Sequence, residues 1–297
     1  MTAPASFGVA AAIGLVALYR YAVHNRITLP ASCKRRILVT GAGSGIGLAT
    51  AELFKKRGWT VGLADLNMES CVAAQQKIGA DAAYQLDVCD AVQCARVCAE
   101  FSAAFGGIDV LFNSAGLLVI GSFESEPAAK QTKQIQVNTV GVVNMTHAAL
   151  SFMKKGARVV TMASGSALMG IPQHAVYSAT KAFVYHLTEA LNMELSVRGI
   201  SVADVSVMYV ATPMVHSQPN RDSFMLSLTQ LFHQPDTVAR TVWTAAHMAR
   251  LHREHFYVGT DLALAFKFVN FCRAFGLRWA ARAVYLTNMP QAHTSTS

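Results

Sequence analysis

The chain has 297 residues, 53% of them apolar and 14% charged, with 25 Lys plus Arg against 17 Asp plus Glu. That is enough for one large domain, or two small ones, with an ample core, and it excludes a disordered or low-complexity chain. The formal net charge of +8 sits at the ends: residues 1–36 and 262–297 are basic with no acid, while the stretch between them is near neutral, which points to an anionic membrane surface and away from a nucleic-acid groove.

From Phe7 to Val23 the only charged residue is Arg20, and the basic run Lys34-Arg35-Arg36 follows. At ~1.5 Å per residue the segment is about 25 Å long, a marginal membrane span. Basic residues after the apolar run, rather than before it, argue against a cleaved signal and predict an anchor with the body facing the cytosol. Residues 1–35 are therefore expected to be a membrane anchor and hinge, with the endoplasmic reticulum as the expected membrane.

Short β-rich runs then alternate with helical stretches: Arg36 to Thr40, Thr60 to Ala64, Ala83 to Leu86, Val110 to Asn113, Arg158 to Ala163 and Ile200 to Val207. This pattern predicts an α/β fold, a Rossmann-type doubly wound parallel sheet, over residues 36–261. The first run leads into Thr40-Gly41-Ala42-Gly43-Ser44-Gly45-Ile46-Gly47 and a helix over 48–57. A glycine turn between strand and helix lets the backbone approach a pyrophosphate, and the helix N-terminus offers free N–H groups. No Lys follows the glycines, so a P-loop is excluded. Asp65 ends the second run, 18 residues after Gly47, where a carboxylate can accept from both ribose hydroxyls and repel a 2′-phosphate. The predicted cofactor is NAD.

Further along, Asn144-Met145-Thr146 matches a glycosylation acceptor but falls in an apolar helical stretch, so it is read as a chance match. Tyr177 and Lys181 are four residues apart, one helical turn, and share a face. A cation beside a phenol favours phenolate, so Lys181 is expected to lower the Tyr177 pKa and fit the tyrosine for proton exchange. Residues 213–234 offer Met214, Val215, Phe224, Met225, Leu226, Leu228, Leu231 and Phe232, a mostly apolar cover suited to a lipophilic substrate. Residues 262–297 begin with an amphipathic helix over 262–286, whose stripe of Leu264, Phe268, Phe271, Phe275, Trp279 and Leu286 is edged by Lys267, Arg278 and Arg282, suited to a headgroup layer or to packing on protein. The six cysteines form neither a disulfide framework nor a zinc pattern, and the histidines contain no HExxH, so no metal site is expected.

Together the chain resembles the short-chain dehydrogenase/reductase family over about residues 36–261. The resemblance is carried by the turn Gly41, Gly45 and Gly47, by Asp65, Asp87-Val88, Asn113-Ser114-Ala115-Gly116, Asn138 and Ser164, and by Tyr177-Ser178-Ala179-Thr180-Lys181. It implies a cofactor seat formed by Gly41, Ser44, Gly45, Ile46, Gly47, Asp65, Asp87, Val88, Asn113, Ala115, Tyr177, Lys181 and Thr212. It also implies a catalytic set in which Tyr177 is the acid/base, Ser164 bonds the reacting oxygen, Lys181 holds the nicotinamide ribose and Asn138 relays the proton through water. Family members often pair through the helices carrying Asn138 and Tyr177, which implies a homodimer or homotetramer. Two departures stand out: Ser114 replaces the usual second Asn, and Val207-Met208 replaces a Pro-Gly turn before Thr212-Pro213-Met214.

The expected activity is NAD-dependent oxidation of a lipophilic alcohol, such as a sterol, retinoid or long-chain lipid, at a cytosol-facing membrane. Two alternatives are an NADPH-dependent carbonyl reductase and a cofactor-binding membrane scaffold of low turnover.

Overall fold

The computed structural model describes residues 35–217, 233–248, 253–260, 262–264 and 267. Seven parallel strands make one sheet among these residues: β1 Arg36–Thr40, β2 Thr60–Asp65, β3 Ala82–Gln85, β4 Val110–Asn113, β5 Arg158–Met162, β6 Ser201–Ser206 and β7 His255–Tyr257. Their spatial order is β3-β2-β1-β4-β5-β6-β7. The chain builds outward from β1 to β3, then crosses over to β4 and builds the other way. The reversal between β1 and β4 opens a crevice at the carboxyl ends of the strands, where ligands bind in such sheets.

The helices are α1 Gly45–Lys56, α2 Met68–Ile78, α3 Ala91–Phe105, α4 Ala128–Ile135, α5 Gly141–Leu150, α6 Ala175–Glu194, the single turn α7 Pro213–His216, and α8 Pro235–Met248. A π-helical turn, Gln136–Val140, joins α4 to α5. Both faces of the sheet are covered, so the central strands are mostly apolar and buried. Ile37 and Val39 face one core layer with Phe54, Cys71 and Val242, while Leu38 faces the other with Val97, Phe101 and Met145. Side-chain caps explain where helices begin: Asn67 accepts from the Ser70 amide at the start of α2, and Asp90 accepts from Val92 and Gln93 at the start of α3. Both helices end on a glycine in the left-handed region, Gly79 and Gly106.

The six anticipated strands are present with ends shifted by at most a residue or so. The seventh, β7, was not anticipated. It is three residues long and is held at the sheet edge through a side-chain pair: His255 Nδ1 lies 2.5 Å from Asp204 Oδ2 on β6, and Tyr185 stacks on the imidazole at 3.7 Å. Asn144 Nδ2 donates to the Val88 and Cys89 carbonyls at 3.0 and 3.2 Å, so that amide ties α5 to the loop after β3. The predicted anchor over residues 7–23, most of the predicted amphipathic helix over 262–286, and residues 218–232 of the apolar cover lie outside the described residues. Among the described residues no helix is long and apolar enough to cross a membrane.

Candidate active site

A cavity of about 690 Å³ occupies the crevice, lined at one end by the glycine turn and at the other by the residues around Tyr177. The turn is built by close approach. Gly41 has φ +63, and a Cβ there would meet Ala115 backbone atoms at 2.8 Å. At Gly47 a Cβ would fall 2.2 Å from the Gly41 carbonyl oxygen, so α1 can start against the turn only with glycine. Ser44 caps α1 without a side-chain bond to it, and with Gly45 and Ile46 it lines the cavity. The α1 N-terminus thus presents backbone donors where a pyrophosphate would lie.

Asp65 stands at the end of β2 on the same wall. Its Oδ2 accepts from the Gly43 amide at 2.9 Å and its Oδ1 from the Asn67 amide at 3.0 Å. These bonds fix the carboxylate in place, and its remaining lone pairs are available to ribose hydroxyls. Asp87 and Val88 line the next part of the wall. The Cys89 amide, which donates to Asp87, is the main cause holding that carboxyl below its usual range.

At the far end β5 delivers Ser164 and α6 delivers Tyr177 and Lys181, all three on the cavity wall. The Ser164 oxygen accepts from the Ser166 amide at 3.2 Å and the Ser166 hydroxyl at 3.0 Å, which leaves its own proton for the phenol or a substrate oxygen. Lys181 Nζ donates to the Met162 carbonyl at 2.8 Å and lies 5.6 Å from the centre of the Tyr177 ring. Burial pushes the Lys181 ammonium down to about 8, with Asp204 pulling it back up. Burial pushes the Tyr177 phenol up to about 12, against a hydrogen bond with Ser164 that lowers it. The expected downward shift of the phenol is therefore not found in the protein itself. The cost of burying a phenolate outweighs a cation that spends its hydrogen bond on a carbonyl. Tyr177 holds its proton and Lys181 its charge at neutral pH.

Two expected site residues stand behind the wall rather than on it. Asn113 Nδ2 donates to Thr146 Oγ1 and Thr161 Oγ1, tying β4 to α5 and β5. Asn138 accepts from the Leu117 amide at 2.7 Å, and donates to the Leu117 carbonyl at 2.9 Å and to Thr180 Oγ1 at 3.1 Å. Its side chain thus braces the loop after β4 against the residue next to Lys181. Ala115 and Thr212 are on the wall.

The loop after β6 lacks the Pro-Gly turn and is secured in other ways. The Val207 carbonyl accepts from the Gly165 amide at 2.9 Å, and His233 bridges the loop through bonds of 3.0 Å to the Tyr209 carbonyl and from the Ala211 amide. The Met208 side chain lies directly over Gly165, where a Cβ would meet its sulfur at 2.2 Å. Ser166, His174 and Tyr209, which sequence reasoning missed, lie on the wall together with Val207 and Met208, the pair that replaces the Pro-Gly turn. The positive φ of Gln173 is invisible in the sequence, but a Ser two residues after Ser164 and a His three before Tyr177 were there to be seen.

Comparison with known proteins decides the family. The family model for short chain dehydrogenase matches residues 35–223. The chain belongs to the short-chain dehydrogenase/reductase family. It is similar to D-threitol dehydrogenase of Mycolicibacterium smegmatis, 32% identical over 212 residues that cover 68% of this chain and 82% of the relative. The NAD-dependent glycerol dehydrogenase of Listeria innocua is 33% identical over 180 residues, 60% of this chain and 71% of the relative. A solved short-chain dehydrogenase from Burkholderia cenocepacia in complex with NADP superposes with a TM-score of 0.68 at 26% identity, covering 79% of this chain and 98% of that one. The dehydrogenase is thus an oxidoreductase acting on alcohol or ketone groups, and its fold binds a nicotinamide dinucleotide.

Proposed function

We propose that the dehydrogenase oxidises an alcohol with an apolar body, using NAD, with Tyr177 as the acid/base. The observation that carries this reading is the placing of Ser164, Tyr177 and Lys181 on one cavity wall, at the other end from a glycine turn closed by Asp65. A nicotinamide dinucleotide held by the glycine turn and Lys181 would supply the hydride acceptor for an alcohol carbon, or the hydride donor for a carbonyl. The protein's own part is to handle the proton. Tyr177, which keeps its proton at neutral pH, gives it to a carbonyl oxygen or, as phenolate, takes it from a hydroxyl. Ser164 orients the oxygen, and the Lys181 charge lowers the cost of the phenolate and suits it to hold the nicotinamide ribose. Asn138 acts one step back from the cavity, bracing the loop after β4 against Thr180, the neighbour of Lys181, and its part in a proton relay is what the family resemblance implies.

NAD is favoured because the Asp65 carboxylate faces the cavity beside the Gly43 amide, where a 2′-phosphate would meet a negative charge. The apolar body is favoured by the buried cluster Leu118, Ile120, Tyr209 and Val215, against which Tyr177 and Met208 pack. The basic, apolar ends of the chain support work at a cytosol-facing membrane surface, such as that of the endoplasmic reticulum, with the catalytic body spanning residues 36–261 and the α4–α6 region available for pairing into a dimer or tetramer. The test is a screen of purified full-length protein in detergent against sterols, retinoids and fatty alcohols, with NAD and NADP in parallel. NAD reduction that is lost in Tyr177→Phe is expected. Faster turnover with NADP, or with glycerol and threitol than with any long-chain alcohol, overturns the corresponding part.

A further inference from the structure

On the sheet beneath α6 stands a fully buried carboxylate, Asp204, 0% exposed. Alternate residues of a strand share a face. Along β6, Ala203 and Val205 join the core layer that contains Val242 of α8, while Val202 turns the other way and lines a small void with Val184 and Thr188 of α6. Asp204 and Ser206 share the face of Val202, and the Ser206 hydroxyl lies 3.5 Å from Asp204 Oδ1. Lys181 reaches the same stretch of sheet from α6, because its Nζ donates to the carbonyl of Met162, the β5 residue in register with Val205.

A carboxylate in such a place is costly unless a cation meets it. His255 does so through Nδ1, and its ring is held in turn by α6: Tyr185 stacks on it and Glu189 lies 3.4 Å from Nε2. Lys181, Tyr185 and Glu189 recur every four residues along one face of that helix. The other titratable groups around Asp204, among the described residues, are Glu254 and Tyr257 in the β7 segment. Burial pushes the Asp204 carboxyl up to about 6, with His255 pulling it back, so it is ionised at neutral pH. Burial pulls the His255 imidazole down, and the bond to Asp204, with the charges of Asp204, Glu254 and Glu189, more than reverses this. An edge strand of three residues needs no charge to hold it, since apolar side chains of similar volume replace buried ion pairs at little cost.

We infer that Asp204 is a positioning residue for the reaction: it is the buried counter-charge that keeps Lys181 an ammonium, and His255, held by Tyr185 and Glu189, keeps that counter-charge ionised. Asp204 is not on the cavity wall, so it acts through Lys181 and touches neither substrate nor dinucleotide. Burial alone drives the buried ammonium towards losing its proton, and the charge of Asp204 opposes this. Without the carboxylate, Lys181 would give up its proton at lower pH, and with it the charge that supports the Tyr177 phenolate. The role in the reaction rests on the dehydrogenase reading above.

The test uses full-length protein and two readouts. One is the titration midpoint of Lys181, followed by NMR on isotope-labelled lysine through the signal that is missing in Lys181→Arg. The other is the alkaline bend in the pH profile of kcat for decan-2-ol with NAD. Asp204→Asn keeps the shape of the side chain and removes its charge, and it is expected to move both downward by about one pH unit. Asp204→Val combined with His255→Phe replaces the ion pair by an apolar pair, which a core commonly tolerates, and is expected to shift both in the same direction should the single variant not fold. A lysine midpoint that stays in place in a folded variant overturns the inference whatever the activity. A midpoint that moves while the bend stays overturns the role in the reaction, and failure of both variants to fold assigns the pair to holding β7 and overturns it as well. A midpoint that moves in a protein that oxidises neither decan-2-ol nor any alcohol of the screen above supports the counter-charge and overturns the dehydrogenase reading.

Discussion

The two ends of the cavity are built from different materials. The dinucleotide end is made largely of backbone: a turn in which Gly41 and Gly47 exclude any side chain, a helix N-terminus, and one carboxylate bonded to turn amides. The substrate end is made of side chains, Lys181 buried and Tyr177 partly so, whose ionisation is shifted by their surroundings, Tyr177 upward and Lys181 downward. Backbone construction tolerates almost no change in shape, while side-chain construction tolerates changes in shape but depends on charge and on which groups are paired. Substitutions at the two ends should therefore fail in different ways.

The largest effect belongs to the substrate end. Tyr177→Phe should lower kcat by ~10²–10⁴-fold, the usual worth of a positioned acid/base, with little change in dinucleotide affinity; parallel steady-state kinetics and NADH titration check both halves of that statement. At the dinucleotide end, Gly47→Val should do the reverse. Its side chain would start 2.2 Å from the Gly41 carbonyl oxygen, so dinucleotide binding and the melting temperature should fall together.

A smaller effect separates the ends by pH. Alcohol oxidation needs phenolate at Tyr177, which is pushed up to about 12, so the rate should climb as pH rises from 6. It should bend over near pH 8, where Lys181, pushed down to about 8, loses its proton and the charge that supports the phenolate. Lys181→Arg keeps a charge at all these pH values and should move the bend upward; a bend that stays in place assigns it to another group. Dinucleotide affinity, resting on backbone amides, should vary little over the same range. The smallest effect lies outside both ends. Asp90→Ala removes the cap that accepts from Val92 and Gln93 at the start of α3, and should cost about 1 kcal/mol of stability in denaturant titration while leaving kinetic constants unchanged.

The same contrast explains what could be read from the residues alone. The strand and helix alternation, the glycine turn, Asp65 and the Tyr177–Lys181 pair were legible because each is a local pattern whose spacing fits one backbone geometry. The short strand β7 was not, because its three residues join the sheet through Asp204, 51 positions away. Nor was the upward shift of the Tyr177 phenol, because it depends on how much water the folded wall excludes. Asn113 and Asn138 were recognisable as residue types in the right order, yet their side chains face neighbouring loops and helices and not the cavity.

By itself the amino-acid order determined the α/β architecture, the dinucleotide turn and the presence of a phenol and an ammonium one helical turn apart, since short-range sterics and periodicity act along the chain. Tertiary structure alone decided which groups share the cavity, how burial sets their protonation, and that Asp204 meets His255. Those outcomes depend on distances and desolvation between segments far apart in the chain, which no local pattern encodes.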